Sequence, residues 1–443
     1  PGCLPQLGPF HLPSALFLQM SEKYGPVFMV YLGLDQAVIL YGYDVVKTVL
    51  VDRGQEFLDR GTAARPSFRM ACIFMSNGER WAQLRRFSLT TLRNFGMGKK
   101  SLEERIQEEA QHLVEALRAR KGQPCNPATL FSGATSNVIS HILFGERFDY
   151  QDPELLRILH FLQEGFLLES SSAAQVRGPG AGGAWGSVHQ RALGCGPCGV
   201  REHESSLDLS AVPEDFTDAF LLKMEQEKHN PRTEFTRENL VMTVNDLFLA
   251  GTETTGITLR YILMVLLEHP AVEARIHEEI DRVVGKVRPP AMKDRSQMPY
   301  TEAAIHEAQR FLDLIPLGFV RMARQDVQLA GFTIPKGATI YPILSSVLND
   351  PKQYKNPSRF DPEHFLDENG DFKKSSADMP FSAGKRNCLG EGLARMELFL
   401  FLTTILQSFR LMHPPGVAQI NLTPEVSGVG HIPRQASFCF CPR

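Results

Sequence analysis

The residues best suited to chemistry stand together in Pro380–Phe381–Ser382–Ala383–Gly384–Lys385–Arg386–Asn387–Cys388–Leu389–Gly390–Glu391, where an apolar helical pattern opens. A cysteine at the start of a helix meets the positive end of the helix dipole and free backbone N–H groups, and both favour the thiolate. A lone cysteine is more commonly a small buried hydrophobe, but this one has unusual company. Gly384 and Gly390 let the backbone approach a flat ring and take dihedrals that other residues resist. Arg386 can pair with a carboxylate at the edge of such a ring. The string therefore suits a thiolate ligand to a metal carried in a flat ring.

A second constellation is Ala250–Gly251–Thr252–Glu253–Thr254–Thr255, midway along a helical pattern from Arg237 to Glu268. Glycine and an acid–alcohol pair disfavour an apolar helix, which points to another purpose. A threonine bonding back to its own helix can open a groove for dioxygen and water, and Glu253 with Thr254 can then relay protons. The plain alternative, a solvent-facing pair, fits poorly with Leu247–Phe248–Leu249 before it and Ile257–Thr258–Leu259 after it. Glu307 and Arg310 stand three apart and share a helix face, as do Trp81 and Arg85, four apart. Taken singly, these are equally the marks of ordinary surface helices.

Phe381, Gly384, Arg386, Cys388 and Gly390 match the pattern F-x-x-G-x-R-x-C-x-G without a mismatch, and the sequence resembles the cytochromes P-450 of the vertebrate microsomal second family. The threonine string resembles the family's A-G-x-E-T-T, and Glu307–Ala308–Gln309–Arg310 its E-x-x-R. Ser76–Asn77–Gly78–Glu79–Arg80–Trp81, Leu143 to Tyr150 and Phe360 to Phe365 extend the likeness over most of the chain. The resemblance implies heme b (iron protoporphyrin IX) with Cys388 as axial ligand, a thiolate whose donated charge favours O–O cleavage. It implies Trp81, Arg85, Arg321, Phe381, Gly384, Arg386 and Gly390 around the heme, and Glu253 and Thr254 as catalytic residues. Glu307 and Arg310 become a buried structural pair. Their usual arginine partner is replaced by His364, in Asp361–Pro362–Glu363–His364–Phe365. By position, Ile73, Phe74, Leu249, Ala250, Ile315, Phe319 and Val429 would line an apolar substrate pocket.

The implied activity is mono-oxygenation. One atom of O2 enters a lipophilic small molecule (a xenobiotic, fatty acid or steroid), with electrons from NADPH through a flavoprotein reductase. Cytochrome b5 is a further expected partner. Arg86, Lys99, Lys100 and Lys385 are candidate contacts on the thiolate side. The resemblance also implies the cytosolic face of the endoplasmic reticulum membrane, with contact to the membrane surface.

The elements that must hold these residues are mostly helical. Of 443 residues, 43% are hydrophobic and 22% charged, enough for a large core. A net charge of −3 offers no polybasic footprint for nucleic acid. Eight scattered cysteines fit a reducing compartment better than a disulfide scaffold. Helical periodicity marks Ser14 to Tyr24, most of Trp81 to Phe144, Glu214 to Glu227, Arg237 to Glu268, Ala271 to Val284, Tyr300 to Leu312 and a last helix from near Cys388. Strands are expected at Val27–Leu32, Ala37–Leu40 and, with turns at Gly331 and Gly337, over Val327 to Ile340. Asn349 to Met379 reads as a long functional loop. The fold class is thus mainly α with a small β region, the helix-rich triangular prism of the family, in a single catalytic domain over 1–443.

Two stretches depart from the pattern. The resemblance leads to the expectation of an anchor helix outside these residues, since Pro1 to Leu7 resembles the proline-rich hinge that follows such a helix. No stretch reaches the roughly 18 apolar residues of a membrane span. Residues 175–203 are glycine-rich and aperiodic, where relatives have helices over the substrate pocket. Their Cys195–Gly196–Pro197–Cys198 lacks the preceding strand of a thioredoxin-type centre and reads as accidental. A disturbed roof predicts impaired pocket closure. The alternative function is a heme-binding pseudoenzyme without turnover.

Overall fold

The structure, a computed structural model, describes residues 14–32, 35–61, 73–95, 100–170, 200, 203–208 and 210–443. The helices are α1 (Ser14–Tyr24), α2 (Tyr43–Lys47), α3 (Gly78–Asn94), α4 (Lys100–Arg118), α5 (Ala128–Phe144) and α6 (Pro153–Ser170). They continue with α7 (Phe216–Gln226), α8 (Arg237–Glu268), α9 (Pro270–Val283), α10 (Pro299–Leu312), α11 (Ser345–Leu348) and α12 (Glu391–Ser408).

The β region is small. β1 (Val27–Leu32) pairs antiparallel with β2 (Asp35–Leu40), and β3 (Arg321–Met322) joins through β6 (Thr339–Pro342), giving the order β1-β2-β6-β3. β4 (Val327–Leu329) with β5 (Phe332–Ile334), β7 (Phe409–Met412) with β10 (Cys439–Pro442), and β8 (Pro424–Ser427) with β9 (His431–Pro433) form three two-stranded ribbons.

The long helix α8 is the axis of the core. Thr236 caps it by accepting from the Asn239 N–H at 3.2 Å, and it stops at His269–Pro270, where proline disfavours helical dihedrals in the residue before it. Beyond its midpoint almost every side chain from Thr255 to Leu267 is buried. α5 lies close against it, because a Cβ at Gly251 would stand 3.1 Å from Ile139 and one at Gly256 3.1 Å from the Ser132 backbone. Those glycines therefore set the separation of the two helices.

The expected elements appear, with several differences. The stretch from Trp81 to Phe144 is three helices and their connections rather than one run. α6 has no counterpart among the expected helices, since Leu155, Leu156, Ile158, Leu159, Phe161 and Leu162 spread apolar residues around it. The loop Asn349 to Met379 carries a 3-10 turn at Pro362–Phe365. The atypical segment 175–203 falls outside the described residues except at Val200 and His203; Cys195, Cys198, Lys99 and Pro1 to Leu7 lie outside them too.

Candidate heme-thiolate site

Cys388 does not begin α12 but stands just before its cap residue, Gly390. The loop that presents it is tightly held: the Cys388 N–H donates to Phe381 O at 2.9 Å and the Asn387 N–H to Gly384 O at 3.1 Å. Gly384 has φ +74°, and a Cβ there would fall 1.8 Å from Leu50 O, so the loop can seat against residues 48–52 only with glycine. Gly390 is different. Its φ is −91° and nothing lies within 4 Å of a Cβ, so the protein around it makes no demand for glycine. The Cys388 thiol is deep in the fold yet accessible, which means it faces an internal space. Burial pushes it up, while the Gly390 N–H and the Arg85 charge work in the opposite direction. Phe381 is half-buried, with the Arg395 guanidinium 4.9 Å from its ring centre.

Four arginines gather beside that space. Arg60, Arg321 and Arg386 are buried and Arg85 is half-buried. Burial, then the charges of Arg321, Arg386 and Arg85, push Arg60 well below its ordinary value. Burial and Arg85 push Arg321 down to about 9, and burial with Arg321 does the same to Arg386. Arg386 donates to Leu58 O at 3.0 Å and Ser76 O at 2.7 Å, and stacks 4.0 Å over Trp81. Arg60 donates to Phe74 O and Val320 O. Among the described residues no acceptor reaches Arg321 Nη1, Arg386 Nη1 or Trp81 Nε1, all buried. Among the described residues one carboxylate, Asp59, acts on Arg386; its Oδ2 pairs with Arg324 at 3.3 Å and its Oδ1 is unpartnered, so a single carboxylate stands against four guanidinium groups. Guanidinium groups keep their charge, so a cluster this deep calls for an anion with more than one acidic group. A porphyrin with two propionates, its iron on the Cys388 sulfur, fits that donor set.

The structure brings Glu307, Arg310 and His364 together. Glu307 accepts from Arg310 Nε and Nη2, both at 2.7 Å, from the Asp361 N–H at 2.9 Å and from His364 Nδ1 at 3.1 Å. Arg310 also donates to Leu348 O and Pro357 O, each at 2.9 Å, tying α10 to the loop that leads to the cysteine. His364 Nε2 faces Lys355 O at 2.5 Å. Burial lowers the imidazole's affinity for a proton, but these two acceptors outweigh it and raise the pKa, as an imidazolium donating from both nitrogens requires.

The chain belongs to the cytochrome P450 family. A sequence profile of that family, "Cytochrome P450", matches residues 1–440. The chain is 50% identical over 436 residues to "Cytochrome P450 2C11" of Rattus norvegicus, covering 96% of this chain and 87% of that protein. It is 49% identical to "Cytochrome P450 2C8" of Homo sapiens and to "Cytochrome P450 2B2" of Rattus norvegicus, each covering 96% of this chain and 89% of the relative. It is accordingly a heme-thiolate mono-oxygenase that uses O2, electrons supplied by a reductase and lipophilic substrates. Neither the match nor the site favours a chain without turnover.

The acid–alcohol pair is arranged differently from a direct relay. Thr254 Oγ1 donates to Ala250 O at 2.7 Å, and Thr258 Oγ1 donates to Thr254 O at 2.7 Å. Glu253 is buried and turns toward Ser132 of α5, where it lines a cavity of about 220 Å³ with His160, Phe166, Arg260 and Ile432. Burial raises its carboxyl to about 7, against the Ser132 hydroxyl and the Arg260 charge. No hydrogen bond joins Glu253 to Thr254 among the described residues, so a proton passing between them needs water.

The expected pocket residues come from separate elements. Leu249 is half-buried and Ala250 exposed on α8; Ile315 follows α10; Val429 is the turn between β8 and β9. Phe74 and Phe319 meet edge to face at 4.4 Å. The N–H groups of Ile73 and Phe74 both donate to Asp246 of α8, at 3.1 and 3.2 Å. Sequence reasoning missed Arg60, Asp246 and Arg260. Asp246 and Arg260 had a signal, as charges inside a long, largely apolar helix; Arg60 sits in a connection and had none.

Proposed function

We propose that Cys388 is the axial thiolate and that Trp81 with Arg60, Arg85, Arg321 and Arg386 holds the propionates. The single observation that carries this reading is the convergence of four arginines, with unpartnered buried donors, beside an accessible deep cysteine. Bound there, heme supplies dioxygen activation and transfer of one oxygen atom to the substrate. The protein's own part is to hold a proton at Glu253, position water through the back-bonded Thr254, and exclude bulk solvent with the Phe74–Phe319 pair and the α8 face at Leu249 and Ala250. Ile73, Ile315 and Val429 complete an apolar pocket suited to a lipophilic substrate. Phe381, Gly384 and Gly390 shape the ring's approach, and Glu307, Arg310 and His364 hold the loop that carries it. Residues 1–443 read as one catalytic domain.

The exposed Arg86, Lys100 and Lys385 support docking of the reductase, and of cytochrome b5, on the thiolate side. Leu18 and Tyr24 on α1 and Met29 and Tyr31 on the outer face of β1 are exposed large apolar residues. They support contact with a membrane surface, at the cytosolic face of the endoplasmic reticulum. No described helix is long and apolar enough to cross a membrane.

The test is the carbon-monoxide difference spectrum of the reduced, heme-loaded protein. A strongly red-shifted Soret band in wild type, absent in Cys388→Ser, is the expected result. The same band in both proteins would remove Cys388 from the site.

A further inference from the structure

Asn387 immediately precedes the cysteine, and its role is fixed by what it holds. Arg85 Nη2 donates to two acceptors on that one residue, the backbone O and the side-chain Oδ1, each at 2.9 Å. The same guanidinium lies 6.0 Å from the centre of the Trp81 ring, which bounds it on another side. Asn387 adjoins Cys388 in the chain, so the guanidinium bonded to it is held beside the cysteine.

Left to itself Arg85 would not stay there. It sits on a long flexible stem and is repelled by Arg60, Arg321 and Arg386. A carbonyl alone offers one of the two bonds, and any residue would supply it; Oδ1 is particular to Asn387. We propose that Asn387 is a positioning residue that pins the Arg85 cation beside the thiolate and so sets the reduction potential of the heme iron. A cation next to a metal-bound sulfur stabilises its negative charge, weakens its donation to the metal and raises the potential. Arg85 thereby divides its donors, with Nη2 on the cysteine loop and the remaining N–H groups left for a propionate. The inference rests on Cys388 being the thiolate ligand.

The experiment is redox potentiometry on the heme-loaded full chain carrying Asn387→Leu, alone and combined with Arg85→Gln. Asn387→Leu is expected to keep the red-shifted ferrous–carbon monoxide band, shift the potential negative and slow the first reduction by the reductase several-fold. In the Arg85→Gln background the same substitution is expected to shift the potential little, because the cation it positions is gone. Should Arg85→Gln lose its heme, the iron–sulfur stretch in the resonance Raman spectrum of Asn387→Leu decides. It should move to higher frequency as donation strengthens. A potential equal to wild type, an equal shift in both backgrounds, or an unmoved iron–sulfur stretch overturns the proposal. A wild-type protein without the red-shifted band overturns the thiolate reading itself, and this proposal with it.

Discussion

Glu253→Gln removes one proton-binding site from the heart of the molecule while keeping the side chain's size and its capacity to hydrogen-bond Ser132. Burial raises the Glu253 carboxyl from 4.5 to about 7. At about 1.4 kcal/mol per pH unit, the fold therefore prefers the protonated over the ionised acid by about 3 kcal/mol. The sign follows from proton counting. Below about 4.5 the acid is protonated whether the chain is folded or not, and burial costs nothing in charge. Between about 4.5 and 7 the folded chain holds a proton that the unfolded chain has released, so stability falls as pH rises. Above about 7 the full cost is present. Wild type should thus lose about 3 kcal/mol relative to Glu253→Gln on going from pH 4.5 to pH 8, an order-of-magnitude figure. Denaturant unfolding of both proteins across that range reads the difference, and an infrared titration of the protonated carboxyl stretch reads the site directly. A carboxyl midpoint near 4.5, or parallel stability curves, would refute the argument that the cavity beside α8 keeps this acid protonated near neutrality.

Three further outcomes are expected. Glu307→Gln leaves Arg310 buried without its counter-charge and should cost about 3–5 kcal/mol, seen as a lower denaturation midpoint and a smaller heme-loaded fraction; an unchanged midpoint would show the pair to be dispensable. Gly384→Ala forces a side chain into φ +74° and onto Leu50 O. The dihedral alone costs about 1–2 kcal/mol, so displacement of the cysteine loop should appear as loss of the red-shifted band, and a wild-type spectrum would contradict the packing described. Arg60→Leu should speed heme transfer to an acceptor apoprotein by about 10- to 100-fold, the equivalent of about 1.5–3 kcal/mol for a charge-assisted hydrogen bond; an unchanged rate would place the propionates elsewhere.

The sequence by itself determined the chemistry that depends on short spacing. Cys388 with its glycines and Arg386, the Glu307–Arg310 face and the back-bonding Thr254 are written within one loop or one helical turn, where local geometry leaves little freedom. The same holds for α8 and α10, whose apolar periodicity and flanking prolines make their bounds legible. Even His364, 54 residues beyond Arg310, was readable because it occupies a recognisable string. Tertiary structure alone decided where charges from distant segments converge. Arg60 follows no pattern, and its purpose is visible only once β3 and the cysteine loop bring Arg321 and Arg386 beside it. Glu253 and Thr254 are neighbours in sequence, yet α5 and α6 enclose Glu253 in a cavity that Thr254 does not line. Asn387 looks like any polar loop residue until α3 lays Arg85 across it. The physical reason is common to all three: burial and mutual charge depend on which surfaces meet, and a linear pattern does not encode that meeting.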